Sequence, residues 1–285
     1  MRRLLTWLTL TALCCVPVSA APQLQLFAGQ KPQAVLAGSN RLIHLRWRNV
    51  GNTVYETDIH SRTMQLTSAT AVCVDGASWN KLQVLPGQTI LESAALDFPP
   101  VKAKTHFLVQ WIDGSSNVLG STDVLVYPTN LLAELGILMG HNENALGLYD
   151  PENELKPLLK SLKVRFVDLE KMVAEDFRGK LAIVGPFGSK PEAHSLGTAQ
   201  IKTLYEKSVA VVWASPVKME ALSETEKFQP SYYAIPGKET ATVVVQPEML
   251  EDLTSNPSAQ LNLVYFCKLA LQPALAEHIL PSFTK

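Results

Sequence analysis

Arg41-Leu42-Ile43-His44-Leu45-Arg46-Trp47-Arg48 sets Ile43, Leu45 and Trp47 on one side of an extended chain and Leu42, His44, Arg46 and Arg48 on the other. That alternation is the period of a strand with one face in a core and one in water. Working outward, stretches of the same character recur near Thr63 to Leu66, Thr70 to Val74, Lys81 to Val84, Thr89 to Ala94, His106 to Ile112 and Val118 to Val126. Turn-forming residues separate them: Asn49-Val50-Gly51-Asn52, Asp75-Gly76, Pro86-Gly87, Pro99-Pro100 and Asp113-Gly114-Ser115. Roughly seven short strands without a helical period between them predict an all-β immunoglobulin-like sandwich. Of the tryptophans here, Trp47 and Trp111 share the inward phase. They are expected in the core, whereas exposed together with Trp79 they would stack on sugar rings or on a protein.

The period changes at Tyr127-Pro128-Thr129. Asn130 can cap a helix carrying Leu131, Leu135 and Leu138, with Gly140 to end it. Apolar runs then alternate with amphipathic segments, the signature of repeated βα units around a mostly parallel sheet in three layers. The candidate strands are Ala145 to Tyr149, Val164 to Asp168, Leu181 to Val184, Val209 to Ala214 and Ala241 to Val245. Helical faces collect Leu155, Leu158, Leu159 and Leu162, then Ile201, Leu204 and Tyr205, then Leu263, Phe266, Cys267, Ala270 and Leu271, with Asn256-Pro257 opening the last. Pro216 to Gly237 has weaker periodicity, and its assignment stays open.

The N-terminus has the layout of an export signal: Arg2 and Arg3, an apolar run from Leu4 to Val16, then Val18-Ser19-Ala20 before Ala21. The expected organisation is a signal peptide over 1–20, a β-sandwich over 21–128 and an α/β domain over 129–285. The apolar run is too short to span a bilayer, so no integral membrane segment is expected after cleavage, and the destination is periplasm or medium. Cys14 and Cys15 lack the leucine and small residue of a lipidation site. Cleavage leaves Cys73 and Cys267, for which two buried thiols are the leading expectation over a bridge between domains. With 25 Lys+Arg against 26 Asp+Glu and a net charge of -1, there is no basic footprint for nucleic acid.

In an open parallel sheet a ligand crevice lies beyond the carboxyl ends of the strands. The residues there are Asp150, Asp168, the loop Gly185-Pro186-Phe187-Gly188-Ser189-Lys190, His194 and Ser215, and they are the candidate ligand-binding positions. Asp150 and Asp168 each precede a segment that could be helical, so capping competes with acid–base chemistry and is preferred. The glycine loop could offer N–H groups to an anion, but two residues separate Gly185 from Gly188 and Pro186 removes a donor, unlike a P-loop. His194 reads as a loop histidine rather than a general base, and Ser215 has no flanking glycines to make a nucleophile elbow. No GxGxxG, HExxH, HxH or CxxC occurs, so no cofactor and no metal site is expected.

The strings Ala145-Leu-Gly-Leu-Tyr-Asp150, Leu181-Ala-Ile-Val-Gly-Pro186 and Val209-Ala-Val-Val-Trp-Ala214 resemble the flavodoxin-like layout of class I glutamine amidotransferase-like domains. Active members of that family use a cysteine on a GxCxG-type elbow, and neither Cys73 nor Cys267 sits on one. The resemblance therefore implies a degenerate, non-catalytic relative, of the sort fused to β-sandwich modules in extracellular carbohydrate-processing proteins. The expected function is an exported binding or assembly module with a protein or carbohydrate partner. Two alternatives stand beside it: a hydrolase of envelope or carbohydrate substrates using Asp150 or Asp168 as acid or base, and a periplasmic solute-binding receptor.

Overall fold

A computed structural model of the chain describes residues 23–27, 29, 31–140, 145–185, 194–214, 232–236 and 239–273. The first eight strands are β1 (Leu24–Leu26), β2 (Gln33–Leu36), β3 (Gly38–Asn49), β4 (Tyr55–Leu66), β5 (Ala71–Val84), β6 (Thr89–Phe98), β7 (Thr105–Asp113) and β8 (Val118–Tyr127). They form two sheets, ordered β1-β3-β6 and β2-β8-β7-β4-β5, antiparallel except for the parallel pair β2–β8. The alternation around Arg41 to Arg48 explains the stacking: Ile43, Leu45 and Trp47 meet Phe107, Val109 and Trp111 from the opposite sheet in one apolar cluster. Trp47 and Trp111 are fully buried, edge-to-face at 6.3 Å, and Trp79 packs against Trp111 at 5.2 Å. The Trp111 Nε1 donates to Thr122 Oγ1 at 3.0 Å.

Two sequence expectations change in the sandwich. Asp75-Gly76 is not a turn: Thr70 to Val74 and Lys81 to Val84 belong to the single long strand β5, whose true turn with β4 is closed by the Thr67 N–H on the Thr70 carbonyl. Fourteen residues of β5 face twelve of β4, and the surplus is taken up by irregularities at Val74 and Trp79. An extra residue shifts the phase of the strand, which breaks the alternation that pattern reading relies on. Cys73 lies on the outer edge of β5 and is exposed, not buried, whereas Cys267 is fully buried; both are free. Burial pushes the Cys267 thiol pKa up.

The second half has six strands: β9 (Leu146–Tyr149), β10 (Val167–Asp168), β11 (Leu181–Val184), β12 (Ala210–Ala214), β13 (Tyr232–Pro236) and β14 (Ala241–Val245). Their order is β10-β9-β11-β12-β14-β13, all parallel except the antiparallel edge strand β13. Among the parallel strands this is the flavodoxin-like order, second, first, third, fourth, fifth. The helices are α1 (Glu134–Leu138), α2 (Leu155–Ser161), α3 (His194–Glu206) and α4 (Pro257–Leu271). Leu146, Leu148, Ile183 and Val212 point to one side, with Leu135 of α1, Leu159 of α2 and Leu263 and Phe266 of α4. Ala182, Val184 and Val211 point to the other, with Leu204 of α3 and Phe177. The result is three layers with the all-apolar strand β12 covered on both faces.

Asn256 caps α4 as its position suggests, accepting from the Ser258 and Ala259 N–H groups. Asn130 makes no such bond: a short 3-10 turn, Leu131–Ala133, precedes α1, and Gly140 follows it at φ +61°. Tyr205, read with the apolar face of α3, is exposed. The open segment before Gly237 contributes the edge strand β13. Gly147 on β9 is a steric requirement, since an added Cβ would lie 2.8 Å from the Phe177 ring and 3.0 Å from Leu169. Among the described residues no helix is long and apolar enough to cross a membrane. Residues 1–20, read as an export signal, lie outside the described residues.

Candidate functional site

The strand order reverses between β9 and β11, so the crevice of this sheet opens where Tyr149-Asp150 and Val184-Gly185 leave it. At that point the backbone is already tied: the Gly185 N–H donates to the Tyr149 carbonyl at 2.8 Å. Asp150 is completely buried, and its carboxylate accepts three backbone N–H groups, from Glu154 (3.1 Å), Leu155 (2.8 Å) and Lys156 (2.8 Å). These are donors that the first turn of α2 cannot satisfy internally, so the capping role read from Asp150-Pro151 is the one the side chain performs.

Asp168, at the end of the neighbouring β10, departs from its expected role. No helix follows it; its carboxylate accepts the Glu170 N–H at 3.2 Å across a tight turn. It also lies 3.2 Å from Lys156 Nζ and 3.5 Å from Lys171 Nζ. Lys156 is the organising residue that sequence reading missed. Its side chain is buried with Nζ 2.5 Å from Glu170 Oε1, and the same oxygen accepts the Asp150 N–H at 3.1 Å. Burial alone would lower the Lys156 pKa, but hydrogen bonds to Glu170 and Asp168 outweigh it and raise the value. Burial alone would raise Asp168, and the Glu170 N–H together with Lys156 brings it below the usual carboxylate range. Tyr149 beside them is raised, first by burial and then by the charge of Glu170.

The structure thus brings Asp150, Asp168 and Gly185 to one edge and adds Lys156, Glu170 and Tyr149. A weak signal for Lys156 exists in the sequence: it flanks the leucine face of α2, next to Leu155 and Leu159, where an ordinary solvated lysine would not be placed. His194 is the first residue of α3 rather than part of a loop. Gly188, Ser189 and Ser215 lie outside the described residues. Among the described residues no three His, Cys, Asp or Glu side chains are grouped to hold a metal ion.

Chemically, this edge is a satisfied network. A general acid or base must exchange its proton with a substrate, and the oxygens of Asp150 are occupied by backbone donors while Lys156 takes one oxygen each of Asp168 and Glu170 and Lys171 the other oxygen of Asp168. No protein-family model matches the chain, and no curated protein does. Among solved structures, a β-glucosidase from Listeria innocua in complex with glucose matches at 14% identity and a TM-score of 0.28, over 36% of this chain and 16% of that one. A sporulation control protein from Bacillus subtilis matches at 8% identity and a TM-score of 0.29, over 41% of this chain and 55% of that one. An alkylpurine DNA glycosylase from Pseudomonas fluorescens matches at 7% identity and a TM-score of 0.29, over 36% and 30% of the two chains. The chain spans about a sixth of the β-glucosidase and little over half of the sporulation protein, and similarities of this size carry no argument about activity.

Proposed function

We propose that this chain is an exported, non-catalytic module that binds or assembles with a partner. The observation that carries the reading is how the described carboxylates of the crevice are engaged: three backbone donors on Asp150, and Lys156 set between Asp168 and Glu170. The hydrolase alternative needs a carboxyl group free to give or take a proton at a substrate, whereas Asp150 is held by three backbone donors and Asp168 by Lys156, Lys171 and the Glu170 N–H.

The proposal includes descent from an amidotransferase-like domain that has lost its nucleophile. It is supported by the order of the parallel strands and by the place of the two cysteines: Cys73 on a strand of the sandwich and Cys267 inside α4, fully buried. A thiol whose pKa is raised by burial is a poor nucleophile. Export rests on the pattern of residues 1–20 and is checked by the mass of the processed chain, expected to begin at Ala21.

The function is tested by incubating the purified full chain with chromogenic glycosides, esters and glutamine, in parallel with a thermal-shift screen against sugars, amino acids, nucleotides and peptidoglycan fragments. The expected result is no turnover. Turnover that disappears in Asp168→Asn and Glu170→Gln, both with unchanged circular dichroism, would overturn the proposal. A small molecule at ~100 times its dissociation constant would stabilise the fold by about 2.7 kcal/mol and reinstate the receptor reading.

A further inference from the structure

Several cations of this molecule are matched by carboxylates: Lys156 between two of them, Lys268 with Glu134 and Lys81 with Glu56. The outward face of the sheet β1-β3-β6 differs. Arg46 and Arg48 project from β3 at alternate positions, about 7 Å apart by the rise of a strand, and both are exposed. Among the described residues neither makes an ion pair. Arg46 lies over the Phe27 ring at 5.4 Å, and the Phe27 N–H is bonded to the Arg46 carbonyl at 2.8 Å, which holds ring and guanidinium in register. Directly opposite Arg46 stands Leu91, 77% exposed, and further along β3 stands Leu42, 57% exposed. The acidic residue in the outward phase of β6 is Asp97, about 20 Å along the strand from Leu91, where it accepts the Asn40 N–H at 2.8 Å.

We propose that this face is a docking surface for an acidic, extended segment of a partner protein. The inference deepens the reading of the chain as a binding module, since it rests on that reading and names the surface and the partner's chemistry. Side chains on one face of any extended peptide repeat at the spacing of Arg46 and Arg48, so carboxylates at every second residue meet both guanidinium groups. A planar guanidinium fixed by an aromatic ring keeps its outer N–H edge for bidentate contact with a carboxylate. Leu42 and Leu91 supply the apolar contact that an arginine pair needs beside it in a protein interface. A sugar polymer fits less well. Carbohydrate faces stack on open aromatic rings, and here Arg46 lies over one face of Phe27 while Trp47 and Trp111 are inside the sandwich.

The probe is poly-L-glutamate, titrated against the full chain at low salt and compared with alginate, an anionic polysaccharide. Poly-L-glutamate is expected to bind more tightly than alginate. The double variant Arg46→Glu with Arg48→Glu should weaken that binding tenfold or more, and Leu91→Ser should weaken it several-fold at unchanged net charge. Lys102→Glu with Lys104→Glu, the same charge change at exposed residues between β6 and β7, should leave it within about twofold. All of these positions are on the surface, and unchanged circular dichroism confirms that the variants fold. Equal binding by the two double variants, tighter binding to alginate, or no binding of poly-L-glutamate by the unmodified chain would each overturn the proposal. None of these results depends on turnover, so the non-catalytic reading stands or falls separately.

Discussion

Lys156 and Arg46 are both cations on the framework of a sheet, and the molecule treats them in opposite ways. Lys156 is folded inward, with its Nζ between Asp168 and Glu170 and its side chain only 10% accessible. Arg46 and Arg48 stand in water without a carboxylate partner among the described residues. A charge taken out of water must be matched by charges and hydrogen bonds nearby, so an inward lysine commits its neighbours to structure. An outward arginine commits nothing until something arrives. At the crevice the α/β half therefore ties Asp168 and Glu170 to one lysine, while the outward face of β3 leaves Arg46 and Arg48 open to solvent.

The sharpest way to separate the two halves is to remove what holds each together. In the sandwich that is the aromatic cluster: Trp111→Ala is expected to cost about 3–5 kcal/mol, read as a lower urea midpoint by circular dichroism. In the α/β half it is the ion network. Lys156→Ala leaves Asp168 and Glu170 as facing, partly buried anions and should cost about 2 kcal/mol, below the range for fully buried pairs because both carboxylates keep some solvent. Asp150→Ala frees three helix N–H groups and should cost about 1–2 kcal/mol, whereas Asp150→Asn should recover part of that.

Acid should act on the same network. The Asp168 pKa is lower in the fold than in the open chain, so its contribution is present above about pH 4 and is lost as pH falls through the folded value. Lys156, raised in the fold, contributes at all lower pH values and loses its contribution only as pH climbs through its own folded value. Asp168→Asn should therefore lose stability at pH 7 and show a flatter decline in acid than the unmodified chain, measured by urea titrations across pH. Asp113 adds to the acid limb: burial raises it, but Asn117, Ser115 and Tyr55 together bring it down, and Tyr55 in turn is pushed up to about 12. The smallest effect belongs to the open face. Arg46→Ala and Arg48→Ala should each change stability by no more than about 0.5 kcal/mol in the same urea experiment. A cost near that of Lys156→Ala would break the contrast between the halves.

The sequence made the cores legible because burial imposes a period. Ile43, Leu45 and Trp47 announce a one-sided strand, and the unbroken apolar run at β12 announces one covered on both faces. Legibility failed where local chemistry departs from that period. At β5 the extra residues at Val74 and Trp79 shift the phase, and Asp75-Gly76 then looks like a turn although the ladder with β4 continues through it. Strand β10 is only two residues long, too short for a pattern, and the segment after its Asp168, which could read as helical, is a turn. The crevice was half legible. Asp150 followed from its place before a helix, but Lys156 left only its place beside the leucine face of α2, because an ion pair linking residues distant in sequence has no spacing rule.

The sandwich also joins its two sheets through rings rather than through sulfur. Trp47 on β3 and Trp111 on β7 meet across the layers, while the two described cysteines stay free, one exposed on the edge strand β5 and one buried inside α4. A reducing agent therefore leaves every described contact of the sandwich core in place.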